Sequence, residues 1–182
     1  MSWKLKKTVA LVGMMGAGKT AVGKTLAARL NVPFLDSDAE IEAAANMSVA
    51  EIFSRDGESF FREKESQVIG RLLETERCIL STGGGAFMAE RNQRMIAEKG
   101  VAVWLNAPLD ILWNRVRHKD TRPLLRTPDP HGTLKALYDK RTPIYARADL
   151  SVDVMPRYSI EDTANLVIQA LLTRADVLEE CK

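Results

Sequence analysis

The eight residues GMMGAGKT, Gly13 to Thr20, constrain this chain more than any other stretch. A short apolar run, TVALV (8–12), enters them, and AVGKTLAARL leaves them with apolar residues at helical spacing. Gly13, Gly18, Lys19 and Thr20 fit G-x-x-x-x-G-K-[ST], and Gly16 is an extra glycine inside the turn. Between a strand and a helix, such glycines let successive backbone N–H groups point inward at phosphate oxygens, while the helix N-terminus adds its positive end. Lys19 supplies a mobile charge for the β- and γ-phosphates, and the Thr20 hydroxyl suits Mg²⁺. The stretch is read as a nucleoside triphosphate cradle.

The remaining pattern has to supply a fold around that cradle. Apolar, β-rich runs occur at CILST (78–82), VAVWL (101–105) and LSVDV (150–154), with a shorter one at PFLDSD (33–38). Helical patterns lie between them at 19–30, 39–46, 48–55, 58–75, 89–98, 108–117, 133–147 and 159–174. In the last, Ser159 and Asp162 are spaced as a capping box, and Ile160, Ala164, Val167, Ile168 and Leu171 form one stripe. Strands alternating with helices predict an α/β fold with a parallel sheet covered on both faces. With 182 residues and no linker or repeat, one domain is expected. The segment 117–132 is charged, holds three prolines and reads as a long loop.

Composition narrows the partners. A net charge of +2 implies neither nucleic acid nor a membrane surface, and no run approaches the roughly 20 apolar residues of a membrane span. Lys4, Lys6 and Lys7 precede an apolar run that is broken at Gly13, which does not suit a signal peptide. Cys78 and Cys181 match no metal spacing, so reduced thiols and a cytoplasmic location are expected.

A P-loop does not by itself separate switches, motors and kinases. No guanine-reading N-K-x-D follows a later strand, and DPHG (129–132) lies in the proline-rich loop rather than after a strand. An ATPase motor would carry an apolar strand ending in an acidic pair, whereas CILST ends in glycines. In LDSD, residues two apart in a strand point the same way, so Asp36 and Asp38 are both expected to face the phosphate edge. One would hold a Mg²⁺-bound water and the other take a hydroxyl proton. The alternative is that Asp38 merely caps the next helix. Gly83, Gly84 and Gly85 follow a strand and expose bare backbone to a ligand, or else form a flexible turn. Arg62 in ESFFREKE and Arg141 in DKRTPIYARAD read, taken singly, as ordinary solvated or salt-bridged arginines. The loop arginines Arg115, Arg117, Arg122 and Arg126, with Lys119, suit either a mobile cover over phosphates or a plain surface loop.

The motifs GMMGAGKT, LDSD, FFREKE, TGGGAF, RPLL and DKRTPIYARAD, in this order and spacing, resemble the shikimate kinase family over nearly the whole chain. The resemblance implies a five-stranded parallel sheet of the nucleoside monophosphate kinase type. It also implies an acceptor-binding region at about 37–65, a lid at about 117–132, and transfer of the ATP γ-phosphoryl to the 3-hydroxyl of shikimate. On that resemblance Asp38 orients the acceptor hydroxyl, Arg62 and Arg141 clamp its carboxylate, and Gly83 to Gly85 lie against the ring. Thr20 and Asp36 are the metal positions for Mg²⁺, Asp36 mostly through water. Lys19 and Arg122 offset charge on the moving phosphoryl group. Gly13, Gly16, Ala17, Gly18, Lys19, Thr20 and Ala21 form the ATP cradle, Arg115 stacks on adenine, and Arg157 is an adenine-side partner. Ala21 stands where the family often has threonine and offers no side-chain contact to the α-phosphate. A monomer acting on small molecules is expected; the alternative is a P-loop kinase of another hydroxy acid such as gluconate. A third reading is a nucleotide-binding regulatory module.

Overall fold

The computed structural model describes residues 2–118 and 126–182. Lys119 and Arg122, both read as loop cations, lie outside the described residues. The N-terminal strand β1 (Ser2–Leu5) leads into β2 (Thr8–Val12), which is buried along its whole length. Helix α1 (Lys19–Leu30) follows the glycine-rich turn and ends at Asn31, whose φ of 56° is left-handed. Then come β3 (Phe34–Asp36), α2 (Ser37–Ala45), α3 (Val49–Asp56) and α4 (Glu58–Thr75). Strand β4 (Ile79–Ser81), a 3₁₀ turn at Ala86–Met88, α5 (Glu90–Lys99) and β5 (Gly100–Asn106) form the middle of the chain. Helix α6 (Leu109–Val116), α7 (Pro130–Tyr145), β6 (Leu150–Asp153), α8 (Ile160–Leu172) and β7 (Leu178–Cys181) complete it.

The main sheet has five strands in the order β3-β4-β2-β5-β6, and each pairing is parallel. Successive residues of a strand face opposite sides. The unbroken burial of β2, and of β5 from Gly100 to Leu105, therefore means that both faces are covered. The principal core joins Val9, Leu11, Leu26, Ile69, Val103 and Leu134, among others. A smaller core of Ile41, Ile52, Phe61, Val68, Leu72, Cys78 and Leu80 lies under α2, α3 and α4. Central β2 has β4 on one side and β5 on the other, and the chain reverses its direction of travel there. Open parallel sheets bind ligands outside the carboxyl ends of strands at that kind of crevice.

The α/β expectation of a five-stranded parallel sheet is met, with three local corrections. Strand β3 stops at Asp36, so Asp36 and Asp38 are not two alternating strand residues. Asp36 is instead the N-cap of α2, its Oδ1 accepting from the Ala39 N–H at 3.1 Å, and Asp38 sits in the first helical turn. Asp38 is therefore not the cap either. Helix α7 begins at Pro130, inside the expected loop, because Asp129 caps it and proline at the first helical position has no N–H to leave unpaired. The antiparallel ribbon of β1 with β7 has no counterpart among the expected strands, because its short segments SWKL and LEEC carry too few apolar residues to signal strands.

The capping box of α8 is formed, with Ser159 N–H donating to Asp162 at 2.9 Å and Asp162 N–H donating to Ser159 Oγ at 3.0 Å. Ala164, Val167, Ile168 and Leu171 are buried, whereas Ile160 is 49% exposed and drops out of the stripe. Both thiols are free: Cys78 is buried, and desolvation pushes it up to about 11, while Cys181 is exposed. Among the described residues no helix is long and apolar enough to cross a membrane. Ser159→Ala removes one half of the exposed box. It should cost about 1 kcal/mol and lower the thermal midpoint by about 2–4 °C, read by calorimetry, with turnover unchanged.

Candidate active site

The cradle is built by backbone conformation. Gly13 and Gly16 have φ of 147° and 85°, in the range that side chains disfavour. A Cβ at Gly13 would also lie 2.9 Å from the Leu105 carbonyl, and one at Gly16 would lie 2.8 Å from Val116. The loop turns back on itself through the Ala17 N–H, which donates to Met14 O at 3.1 Å. Gly18 precedes α1 and no side chain caps that helix, so its first N–H groups face the loop without a side-chain acceptor. Such an end favours an anion. Lys19 donates to the carbonyls of Gly13 and, at 3.2 Å, Met14. Thr20 and Ala21 are exposed in the first turn.

A cleft of about 520 Å³ opens beside this turn, lined by Thr20, Lys24, Phe34, Asp36, Asp38 and Glu42 among others. Thr20 and Asp36 thus share one space, and Asp38 joins them. The Asp38 carboxyl is raised above its ordinary value, first by burial and then by the charges of Asp36 and Glu42; Lys19 and Arg62 pull the other way. Its Oδ1 is buried and has no hydrogen-bond partner among the described residues. Such an orphaned acceptor in a ligand cleft is an unsatisfied polar group that a guest hydroxyl would pair.

The three glycines after β4 explain how several large side chains meet. A Cβ at Gly83 would lie 2.8 Å from Asp38 Oδ1, and one at Gly84 would lie 2.9 Å from Arg141 Nη1. A Cβ at Gly85 would overlap the Arg62 guanidinium, whose Cζ would be 2.8 Å away. Each missing side chain is the room taken by one charged group. Glycine here serves close approach rather than flexibility. The loop itself is held, since the Gly83 N–H donates to Ser37 Oγ at 3.1 Å and the Tyr145 hydroxyl donates to the Gly84 carbonyl.

Arg62 is salt-bridged, as a lone helical arginine often is, whereas Arg141 departs from the solvated reading. Arg141 is buried on α7, with 8% exposure. Arg62 lies over the Phe61 ring at 5.3 Å and pairs with Glu65 at 2.9 Å and Glu58 at 3.5 Å. Glu65 is buried, and its carboxyl is raised by desolvation against the pull of Arg62. Its Oε2 has no hydrogen-bond partner among the described residues. Glu65 and Tyr145 stand inside motifs quoted above but were given no role. The spacing was the available signal: Glu65 is three residues after Arg62 and Tyr145 four after Arg141, each pair on one helix face.

Arg115 on α6 donates to the Gly16 carbonyl at 2.9 Å, so it stands against the cradle. Arg157 is not brought to that cradle by any described contact. It lies over the Tyr158 ring at 5.3 Å, in a separate depression with Asp162, Asn165 and Leu166. The expected role of Arg122 lies outside the described residues.

The shikimate kinase family model matches residues 15–172 of the chain. A shikimate kinase of Ruegeria pomeroyi is 69% identical over 175 residues, covering 96% of this chain and 90% of that protein. The solved structure of a shikimate kinase from Acinetobacter baumannii in complex with shikimate superposes with a TM-score of 0.87 at 34% identity, covering 93% of this chain and 94% of that one. A gluconokinase from Sinorhizobium meliloti shares the fold alone, with a TM-score of 0.61 at 16% identity over 95% of each chain. A cradle after the central strand, a charged pocket against three glycines after its neighbour, and a match along most of the sequence lead to one conclusion: this chain belongs to the shikimate kinase family.

Proposed function

We propose that this chain transfers the γ-phosphoryl of ATP to the 3-hydroxyl of shikimate, giving shikimate 3-phosphate and ADP. The observation that carries the reading is the gathering of Asp38, Arg62 and Arg141 against Gly83–Gly85, beside the P-loop. Arg62 and Arg141 offer planar forks that match a carboxylate bidentately. Asp38 accepts the hydrogen bond of the attacking hydroxyl, and its unpaired oxygen has the right chemistry for that guest. The glycines give the ring a surface it can approach closely. With acid end and hydroxyl both fixed, the alcohol meets the phosphorus as an oriented neighbour.

On the nucleotide side, Gly13, Gly16, Ala17, Gly18 and Ala21 present backbone to the phosphates, and Lys19 exchanges its carbonyl partners for phosphate oxygens. Thr20 and Asp36 supply a hydroxyl and a carboxylate to the same cleft, a donor set suited to a hard cation that keeps most of its waters. Bound there, Mg²⁺ would neutralise charge on the phosphates. Arg115 takes the adenine side and Arg157 is an outer adenine-side partner; the expected lid role of Arg122 lies outside the described residues. The region at about 37–65, with its own small core, is the acceptor-binding part of a single domain. The protein acts as a cytoplasmic monomer on small molecules, without nucleic acid or membrane.

The gluconate reading draws on a shared fold only. Coupled measurement of ADP release with shikimate, gluconate, nucleoside monophosphates or no acceptor decides between them, and turnover that does not depend on shikimate overturns the proposal. Arg141→Ala should weaken acceptor binding by about 3–5 kcal/mol, because it leaves buried partners uncompensated. Lys19→Ala should instead depress kcat. Asp38 must be ionised to accept the hydroxyl proton, so activity falls as pH drops through its raised value. Glu42 is one of the charges that raise it. Glu42→Gln should therefore move the acid limb of kcat/KM to lower pH; an upward movement contradicts the role of Asp38.

A further inference from the structure

The glycine loop touches a residue to which neither motif nor resemblance gave a part. Tyr145 is 1% exposed near the end of α7, four residues after Arg141 and so on the same helix face. Its hydroxyl donates to the carbonyl of Gly84, the glycine against which Arg141 packs. Arg141 Nη1 and the Tyr145 hydroxyl flank the same residue, 2.9 Å and 4.0 Å from where a Cβ on Gly84 would stand. The phenol ring stacks on Trp104 of β5, with centroids 6.2 Å apart and planes at 30°. Trp104 reaches the other loop as well: its Cδ1 is 3.5 Å from where a Cβ on Gly13 would stand.

Resting on the acceptor assignment above, we propose that Tyr145 is a positioning residue that fixes the Gly84 peptide and the Arg141 guanidinium as one unit for the acceptor's carboxylate. Two anchors make this specific. The ring cannot swing, because Trp104 lies along it. The hydroxyl belongs to a buried side chain and cannot turn away without being left unpaired itself, and that costs more than the bond is worth. Burial also pushes the phenol up to about 12, so the group stays a donor throughout the neutral range. Arg141 is a long side chain with many rotamers; a neighbour that holds it in place reduces the ordering left for substrate binding to supply.

Tyr145→Phe keeps the ring and the Trp104 stack and removes only the hydroxyl. The shikimate Kd, by calorimetry, should rise about tenfold, while the ATP KM and kcat stay within about twofold of the wild type. In an Arg141→Lys background the same change should have less than about a twofold effect, since the fork it positions is gone. A Tyr145→Phe protein that binds shikimate as the wild type does overturns the inference. So does a parallel rise in the ATP KM, or an undiminished effect beside Lys at position 141. Absence of wild-type turnover with shikimate overturns the acceptor assignment and this inference together, whereas wild-type turnover with an unmoved Tyr145→Phe overturns this inference alone.

Discussion

The site depends on a bond at the carboxyl end of two neighbouring strands. Thr82 gives both its N–H, at 3.2 Å, and its hydroxyl, at 2.9 Å, to the carbonyl of Leu11. That double contact carries the β2–β4 pairing to the last residues before each loop. The P-loop leaves one strand and the three glycines leave the other, so the two loops begin side by side. A parallel sheet fixes such loop origins by ladder register rather than by loop chemistry. That register sets the P-loop with Lys19 on one side and, on the other, the glycine loop against which Asp38 and the arginines pack.

Burying charge at this edge is costly, and the structure offsets the cost by opposition of sign. Desolvation acts first on both Asp38 and Glu65, and cations within reach counter it for each. The residual imbalance is functional in form. Asp38 Oδ1 and Glu65 Oε2 are buried acceptors left over after the internal pairs are made. A guest with hydroxyls and one carboxylate has donors for the former and an anion for the arginines. Selectivity then follows from groups that remain unpaired when the wrong acceptor enters.

Much of this was legible in the residues. Alternation of apolar runs with helical stripes gave the parallel sheet, and the Ser159–Asp162 spacing gave a helix start, because both are local patterns. The P-loop was legible for the same reason, since its strand, turn and helix are contiguous. Asp36 and Asp38 were grouped correctly at one edge but on the wrong element, because a strand of three residues and a helix start look alike when the chain between them is LDSD. Arg62 and Arg141 looked ordinary taken one at a time; their meaning lies in contacts with Gly85 and Gly84, far away in sequence. Tyr145 and Glu65 escaped because their partners are positioned by tertiary packing, and the β1–β7 ribbon because it joins the two ends of the chain.

On the proposed function, the two loops hold their guests toward one another over the sheet's carboxyl edge. A crystal structure of the protein with ADP, Mg²⁺ and shikimate tests that claim most directly. The shikimate carboxylate should lie between Arg62 and Arg141, with one ring hydroxyl on Asp38 and directed at the diphosphate in the cradle. Shikimate bound elsewhere, or seated with its Asp38-bound hydroxyl facing away from the nucleotide, would contradict it.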